Sequence, residues 1–317
     1  MSEQLPILRV LTGPTASGKS ALGLRLAEEM VWDILCMDSM QIYRGMDIGT
    51  AKPTPEERRR VPHHLLDLCD PAETFSVSAW RDAAEEKLHQ LRSEGREALL
   101  VGGTGLYLQA LLHPMAMGNV PADEELRQRL KAEALEPGGR EALHRRLEAL
   151  DPDTAARLPV NDIRRVIRAI EVTETTGIAF SRQPQREEAP RFRCRLVSTR
   201  MPREILYQRI NRRVVDMAEQ GLAGEVSRLL EEGVPEDAQS MQGLGYKEMI
   251  PFVKGRCTLD QAIYAVQLGS RHYAKRQITF LKREPEMQYV DVLEPNAYER
   301  LRSIMIGEND IDGTKTN

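Results

Sequence analysis

Short apolar runs rich in β-branched residues alternate with longer amphipathic segments along the chain. The apolar runs are Leu5–Thr12, Asp33–Met37, Ala98–Val101, Arg193–Thr199 and Met287–Val290. Runs of this length, apolar at most positions, are typical of strands that are buried on both faces of a parallel sheet. Helical patterns separate them, notably Val77–Glu94 and Arg203–Glu232. This alternation predicts an α/β fold with a doubly wound parallel sheet.

The stretch between the third and fourth predicted strands shows only helical periodicity. Its three amphipathic segments are Ala122–Leu135, Arg140–Leu150 and Asp162–Thr175, separated by Pro137-Gly138-Gly139, Asp151-Pro152 and Gly177. We therefore predict an all-helical insertion domain at residues 118–185, within a catalytic core of residues 1–117 and 186–317. The polar segment Gln183–Pro190 is expected to be the return linker, and the polar tail Gly307–Asn317 is expected to be frayed.

A complete G-x-x-x-x-G-K-[ST] motif follows the first predicted strand and precedes a helical pattern. Its residues are Gly13, Pro14, Thr15, Ala16, Ser17, Gly18, Lys19 and Ser20. In that context the backbone N–H groups wrap a phosphate, Lys19 adds a positive charge and the helix dipole favours an anion. The Ser20 hydroxyl is placed to meet a Mg²⁺ ion. The motif predicts a P-loop NTPase-like core that binds a di- or triphosphate.

Two further segments follow predicted strands and are expected at the same edge of the sheet. They are Asp38-Ser39-Met40-Gln41 and Gly102-Gly103-Thr104-Gly105. Ligands bind beyond the carboxyl ends of strands in such sheets, so a carboxylate, a hydroxyl and a phosphate loop would converge there. A structural interpretation competes for two of these residues: Asp38 as a turn or helix-capping carboxylate, and Thr104 as a cap of the following helix.

The third predicted strand lacks the acidic end that P-loop NTPases use to hold Mg²⁺ through water. Ala98-Leu99-Leu100-Val101 leads directly into glycine, and the Asn-Lys-x-Asp motif of GTPases is absent from the chain. These absences favour a loop that holds a diphosphate leaving group over one that holds an energy-yielding nucleotide.

Composition excludes several classes of protein. The 317 residues are 41% hydrophobic and 29% charged, which is typical of a globular chain with room for a core and an insertion. The start MSEQLPILRV is not expected to be a signal peptide, and no apolar run approaches the ~20 residues of a membrane span. Four cysteines without C-x-x-C spacing predict neither a zinc site nor a disulfide framework and are typical of the cytoplasm: Cys36, Cys69, Cys194 and Cys257.

The net charge of −4 argues against a nucleic-acid partner, but the positive charges are clustered. One cluster is Arg157, Arg164, Arg165 and Arg168, and a second is Arg271, Lys275, Arg276, Lys282 and Arg283. Local clusters of this kind, more than net charge, attract a polyanion.

Seven segments together resemble the bacterial tRNA dimethylallyltransferases, also called tRNA isopentenyltransferases. In the family's order they are Gly13–Ser20, Asp38–Pro53, Pro62–Asp67, Gly102–Tyr107, Asp162–Val166, Gly243–Glu248 and Tyr273–Gln277. The resemblance covers nearly the whole chain. The zinc finger of eukaryotic relatives is missing.

The resemblance implies transfer of a dimethylallyl group from dimethylallyl diphosphate to N6 of the adenosine 3′ of the anticodon in certain tRNAs, with Mg²⁺ as cofactor. It implies that Asp38 takes the proton of the amine, that Thr104 assists, and that Arg213 joins the phosphate loop in binding diphosphate. The anticodon stem-loop is expected to bind through Asp38, Ser39, Met40, Gln41, Thr104, Asp162, Ile163, Arg164, Arg165, Val166, Gly243, Leu244, Gly245, Tyr246, Lys247, Glu248, Lys275 and Arg276. A cytoplasmic monomer that needs no membrane is expected.

Three other functions share some of these features. A small-molecule P-loop kinase would have the same core and loop. A nucleotide-gated RNA-binding module would have the basic clusters without needing Asp38. Prenyl transfer to free adenine nucleotides would use the same chemistry, but the helical insertion and the basic clusters favour a macromolecular acceptor. The arginines and His63-His64 also have simpler interpretations, as a solvated face and as local hydrogen-bonding groups.

Overall fold

The core of the protein is a six-stranded parallel sheet, seen in a computed structural model that describes residues 5–113, 123–183 and 191–307. The strand order is β3-β2-β4-β1-β5-β6. The strands are β1 (Ile7–Thr12), β2 (Asp33–Cys36), β3 (His63–His64), β4 (Ala98–Val101), β5 (Arg193–Arg200) and β6 (Gln288–Asp291). The predicted α/β fold is confirmed, and the short strand β3 is the addition that the sequence pattern did not predict.

Helices of the core cover the sheet and follow the predicted alternation. They are α1 (Lys19–Met30), α2 (Pro55–Arg60), α3 (Val77–Ser93), α4 (Gly105–Leu112), α9 (Arg203–Glu219), α10 (Leu222–Glu231), α11 (Tyr246–Val253), α12 (Leu259–Leu281) and α13 (Ala297–Ile306). Apolar side chains of α1 and α13, such as Leu26 and Leu301, form one buried cluster with Leu11 and Val197 of the central strands. Among the described residues, no helix has the length and apolar character needed to cross a bilayer.

The helical pattern predicted over Arg203–Glu232 is confirmed, and two helices occupy this stretch. Helix α9 ends at Glu219 and α10 begins at Leu222. Gly221 between them has a φ of 99°, a left-handed conformation that glycine adopts far more readily than other residues. The helical pattern is therefore interrupted at Gly221.

The chain divides into two compact units, Met1–Leu111 with Arg191–Asn317, and Leu112–Pro190. The second unit is helical where it is described, with helices α5 (Glu124–Leu135), α6 (Gly139–Leu150), α7 (Pro152–Ala155) and α8 (Ile163–Thr176). It has its own core, which includes Leu130, Leu143 and Val166. The predicted domain limits, 118 and 185, stay a prediction. Residues 184–190 of the predicted linker and 308–317 of the predicted frayed tail lie outside the described residues.

Candidate functional site

The phosphate loop is held in a strained conformation and anchored to the neighbouring strand. Gly13, Ala16 and Gly18 have φ angles of 143°, 62° and 88°. A Cβ atom on Gly13 would lie 2.1 Å from Thr199 Oγ1, so only glycine allows this close approach. The Ser17 hydroxyl shares a buried hydrogen bond of 2.6 Å with Thr199, the seventh residue of β5. The loop is therefore shaped before any ligand arrives. Sequence reasoning missed Thr199, although its place at the carboxyl end of a predicted strand was available as a signal.

Two cations from distant parts of the chain lie at this loop. Lys19 begins α1, and its Nζ donates to the Pro14 carbonyl at 3.3 Å. Arg213 of α9 reaches the loop, with Nη1 3.4 Å from Thr15 Oγ1. Neither side chain forms an ion pair with any residue that the structure describes. Two neighbouring cations that no described carboxylate contacts directly make a site for a multiply charged anion.

The pKa values of these cations reflect their burial. The pKa of Lys19 is lowered from 10.5 to about 8, mostly by burial and in addition by the nearby Arg213 guanidinium, while the Asp38 carboxylate acts in the opposite direction. Burial also lowers the pKa of Arg213, again with Asp38 acting in the opposite direction. The interaction of both cations with Asp38 places the carboxylate within electrostatic reach of the phosphate loop.

Asp38 lies two residues beyond the end of β2 and uses one of its two carboxylate oxygens in a turn. Oδ1 accepts the backbone N–H of Met40 at 2.9 Å and that of Gln41 at 3.4 Å. Oδ2 accepts no hydrogen bond from the described part of the chain. The interpretation of Asp38 as a turn carboxylate is confirmed, and its catalytic role stays a prediction with which the geometry is compatible, because the turn fixes the carboxylate and leaves one oxygen available to a substrate.

Thr104 is joined to the Asp38 loop and does not cap helix α4. Its Oγ1 accepts the Ser39 N–H at 3.0 Å, while its own backbone N–H donates to the Met37 carbonyl at 3.2 Å. A Cβ atom on the preceding Gly102 would lie 1.9 Å from the Met37 carbonyl oxygen. The two loops are thus in direct contact, and the predicted convergence of Asp38 and Thr104 is what the structure shows.

Helix α12 contributes side chains to the site that were not predicted as site residues. The Gln277 side chain accepts the Thr15 N–H at 2.8 Å and donates to the Gly103 carbonyl at 2.9 Å. The Tyr273 side chain hydrogen-bonds with those of Thr104 and Gln277, and its pKa is raised by burial and by the Asp38 charge. The segment Tyr273–Gln277 belongs to the family resemblance, which is the signal that could have identified them.

Several predicted RNA contacts around Asp38 have structural partners instead. Gln41 donates to the Thr50 and Ala51 carbonyls, both at 3.1 Å, so its amide N–H groups are tied to its own loop. The side chain of Tyr246 is fully buried and donates to Glu225 at 2.6 Å, so its ring is not at the surface, and the predicted RNA contact at this position stays a prediction that could involve only the backbone. A Cβ atom on Gly243 would lie 2.1 Å from the Met40 methyl group.

The other residues of the predicted RNA-binding segment Gly243–Glu248 differ in burial and in their partners. Gly245 immediately precedes α11 and its N–H donates to Glu248, Leu244 is half-buried, and Lys247 is exposed with Glu248 3.6 Å away. Lys247 is therefore the member of the Gly243–Glu248 segment with a charged group available at the surface. Gly243 and Tyr246 lie against the segment that contains Met40 and Gly49, whereas Leu244 and Glu248 lie beside Gly269 of α12.

The insertion unit presents the predicted residues Asp162–Val166 at the start of α8. Arg164 is exposed, and Arg165 is 72% exposed with Asp162 3.4 Å away. Ile163 and Val166 pack in the core of the unit, and Val166 is fully buried, so its side chain is not at the surface and the predicted RNA contact at Val166 stays a prediction. Its position in the motif reflects the apolar face of the helix.

Lys275 and Arg276 are exposed on α12, the helix that also carries Gln277. His63 and His64 have the simpler role: their ring nitrogens bond the Val61 carbonyl at 2.7 Å and the Asp33 carboxylate at 2.5 Å. Within the described ranges, no three His, Cys, Asp or Glu side chains are grouped to hold a metal ion.

A Mg²⁺ ion at Ser20 would have to be shared with a ligand. The Ser20 hydroxyl is exposed beside Lys19 and has no side-chain hydrogen bond among the described residues. One hydroxyl cannot hold Mg²⁺ alone, but this ion is commonly bound through phosphate oxygens and retained waters. The donor set is compatible with an ion that enters together with a diphosphate.

Comparison with known proteins gives a consistent result. A family model described as IPP transferase matches residues 41–284. The chain is 45% identical over 294 residues to the tRNA dimethylallyltransferase of Shouchella clausii, covering 93% of this chain and 94% of that protein. It is 42% identical over 302 residues to the tRNA dimethylallyltransferase of Thermomicrobium roseum, covering 95% and 91%.

Solved structures resemble the whole chain as well. The full-length tRNA isopentenylpyrophosphate transferase from Bacillus halodurans matches with a TM-score of 0.71 and 38% identity, covering 97% of this chain and 98% of that one. A eukaryotic dimethylallyltransferase acting on tRNA matches with a TM-score of 0.79 and 25% identity, covering 98% and 81%.

Proposed function

Because this chain belongs to the IPP transferase family, we propose that it is a tRNA dimethylallyltransferase that acts on N6 of the adenosine 3′ of the anticodon. The donor is dimethylallyl diphosphate and the second product is diphosphate. The observation that carries the proposal is the pair of cations, Lys19 and Arg213, which form no ion pair with a described residue and lie at a phosphate loop within electrostatic reach of the open carboxylate oxygen of Asp38.

The reaction exchanges one bond for another at the first carbon of the prenyl group. The adenine N6 lone pair forms an N–C bond to that carbon, the C–O bond to diphosphate breaks, and one N6 proton leaves. An exocyclic adenine amine is a weak nucleophile, since its lone pair is delocalised into the ring. Asp38 Oδ2 accepts the proton, and general-base catalysis of this kind contributes about 10²–10⁴-fold to the rate.

The leaving diphosphate is stabilised by groups that are already in place. Loop N–H groups, the Lys19 ammonium and the Arg213 guanidinium face the charge that develops as the C–O bond breaks, and preorganised donors in a partly dry site are effective for this purpose. Mg²⁺ bound at Ser20 together with the diphosphate would add positive charge there.

The tRNA must present an unstacked base to this site. Extruding a base from a loop costs a few kcal/mol, less than from a duplex. The exposed cations Arg164, Lys247, Lys275 and Arg276 are suited to contacts with phosphates of the anticodon arm, which position the RNA without reading its sequence. We propose a cytoplasmic monomer.

The test is transfer in vitro followed by mass spectrometry of the tRNA. Purified protein, unmodified tRNA, dimethylallyl diphosphate and Mg²⁺ should give tRNA heavier by one dimethylallyl group, located at the adenosine 3′ of the anticodon. Transfer to free AMP or ADP but not to tRNA would contradict the proposed acceptor. No transfer to either, with the protein folded and diphosphate bound, would contradict the proposed reaction.

Two substitutions at Asp38 separate its chemical role from its turn. Asp38→Asn keeps an oxygen for the Met40 N–H but cannot take a proton, whereas Asp38→Ala loses both functions. We expect both to lower the single-turnover rate by about 10²–10⁴-fold with both substrates still bound. A normal rate in Asp38→Asn would show that Asp38 serves the turn alone.

A further inference from the structure

We propose that Gln277 is a positioning residue that sets the spacing between the diphosphate loop and the loop that carries Thr104. This inference rests on the proposed function, because it concerns how the diphosphate loop and the loops that carry Thr104 and Asp38 are held at a fixed distance for the transfer. Gln277 lies on α12, 262 residues from its partner Thr15, and is 6% exposed.

Both ends of the Gln277 amide are engaged, each with a different loop. Oε1 accepts the N–H of Thr15 in the diphosphate loop at 2.8 Å, and Nε2 donates to the Gly103 carbonyl at 2.9 Å. A Cβ atom on Gly103 would lie 2.3 Å from Nε2, so the glycine allows the amide to approach this closely. One planar group therefore joins the two loops directly.

The bridge continues to the proposed base through two more hydrogen bonds. Thr104 follows Gly103 and accepts the Ser39 N–H at 3.0 Å, and Ser39 follows Asp38, whose Oδ1 accepts the Met40 N–H at 2.9 Å. A shift of Gly103 relative to Thr15 would therefore move the Asp38 carboxylate relative to the diphosphate. Misplacement of reacting groups by about 1 Å can cost about 10²-fold in rate.

Among side chains of this size, only glutamine supplies an acceptor and a donor on one fixed plane. Ionised glutamate keeps the acceptor for Thr15 but loses the donor for Gly103, and asparagine is one methylene shorter. Methionine fills a similar volume and makes neither hydrogen bond. Substitutions with glutamate and methionine can therefore separate the hydrogen-bonding role of Gln277 from the contribution of its side-chain volume to packing.

The experiment compares Gln277→Met and Gln277→Glu with wild type and with Gln267→Ala. Gln267 is a matched control because it lies on the same helix and donates to a backbone carbonyl, that of Asn211 at 3.2 Å, without contacting either loop. Three quantities are measured for each: the single-turnover transfer rate at saturating dimethylallyl diphosphate and tRNA, the Kd for inorganic diphosphate, and the midpoint of thermal unfolding.

We expect both Gln277 variants to transfer about 10–100-fold more slowly at saturation. The Kd for inorganic diphosphate should rise by no more than a few-fold in Gln277→Met but further in Gln277→Glu, where a negative charge faces the loop. Gln267→Ala should transfer within twofold of wild type, with an unfolding midpoint similar to those of the Gln277 variants. A purely stabilising role would not produce this separation of rate from binding and stability.

The inference is overturned if Gln277→Met keeps the wild-type rate, if excess substrate restores it, or if Gln267→Ala is equally slow. If Gln277→Met does not fold, Gln277→Glu carries the test, and failure of both to fold would overturn the positioning role in favour of a stabilising one. Absence of transfer by the wild type is a separate result, because it overturns the proposed function and not the bridge.

Discussion

At the scale of single residues, the burial of Lys19 has the most direct chemical consequence. Its pKa of about 8 means that the free enzyme holds this side chain partly neutral slightly above neutral pH. A bound diphosphate favours the ammonium form of Lys19 and therefore raises the pKa of this side chain. Binding takes up a proton when the pH lies above the pKa of Lys19 in the free enzyme.

We therefore predict that affinity for dimethylallyl diphosphate falls as the pH rises through about 8, by up to about tenfold per pH unit. Calorimetric titration without tRNA, at several pH values and in buffers of different ionisation enthalpy, would measure both the affinity and the proton uptake. Lys19→Met should bind more weakly and lose this pH dependence. An affinity that stays level from pH 7 to pH 9 in the wild type would contradict the prediction.

At the scale of elements, the irregular segment after Asp38 is held by one carboxylate. Glu225 of α10 accepts the N–H groups of Asp47 and Ile48, both at 2.9 Å, and that of Gly49 at 3.1 Å. Its fourth partner is the Tyr246 hydroxyl. The residue is 8% exposed, so these donors have little access to water as an alternative. A buried charged acceptor thus replaces the regular secondary structure that this segment lacks.

Glu225→Gln should lower the free energy of unfolding by about 1–3 kcal/mol, because an amide N–H₂ would face backbone N–H donors. Tyr246→Phe removes only one hydroxyl and should cost about 1 kcal/mol. Urea denaturation monitored by circular dichroism would measure both values. Equal stability of Glu225→Gln and wild type would mean that the segment is held by other contacts.

The basic residues proposed to bind tRNA lie on α8, α11 and α12, and the pairs on α8 and α12 can be tested separately. Arg164→Ala with Arg165→Ala on α8, and Lys275→Ala with Arg276→Ala on α12, should weaken binding of an anticodon stem-loop similarly for all sequences. The dependence of log affinity on log salt should flatten by roughly 0.7 for each lost contact to single-stranded RNA.

Affinity for dimethylallyl diphosphate is the control for both pairs. It should be unchanged in the α8 pair, while some loss is compatible with the α12 pair, which lies beside Gln277 in the chain. Wild-type salt dependence in both variants would show that these side chains form a solvated face and that the anticodon arm binds elsewhere.

At the scale of the whole molecule, the structure gives a reason why ATP chemistry is not expected. The acidic residue that holds Mg²⁺ at this strand end in P-loop NTPases is replaced by Gly102, whose Cβ position is filled by the Met37 carbonyl. We predict that ATP is neither required nor hydrolysed during tRNA modification. Chromatographic assay of ADP, with and without tRNA, would test this. Stoichiometric ADP release would favour the kinase interpretation.

The parts of the molecule that the sequence predicted are those encoded by local pattern. Apolar runs located β1, β2, β4, β5 and β6 to within two residues at either end, and the motif located the phosphate loop. The strand β3, His63–His64, is too short to show a pattern. The helix break at Gly221 was missed because a single glycine is also tolerated inside helices.

The remaining parts of the site depend on tertiary structure. The contact between Gln277 and Thr15 exists only because the sheet topology brings α12 to the phosphate loop. Thr104 bonds Ser39 instead of capping α4 because two loops meet, which no single segment encodes. Val166 and Tyr246 belong to motifs that resemble the family, but burial gives them packing roles.

The strand order also determines when the protein can fold during its synthesis. Strand β1 lies between β4 and β5, and residues Ile7–Thr12 pair with Arg193–Ser198, which leave the ribosome much later. At a rate of synthesis of about 5–20 residues per second, one edge of β1 stays unpaired for roughly 10–40 s before β5 is synthesised. During that time the nascent chain carries an unpaired strand edge of the central sheet, and the phosphate loop still lacks Thr199, Arg213 and Gln277. The complete diphosphate site therefore forms only near the end of translation, and the open edge of β1 is available for aggregation until β5 pairs with it.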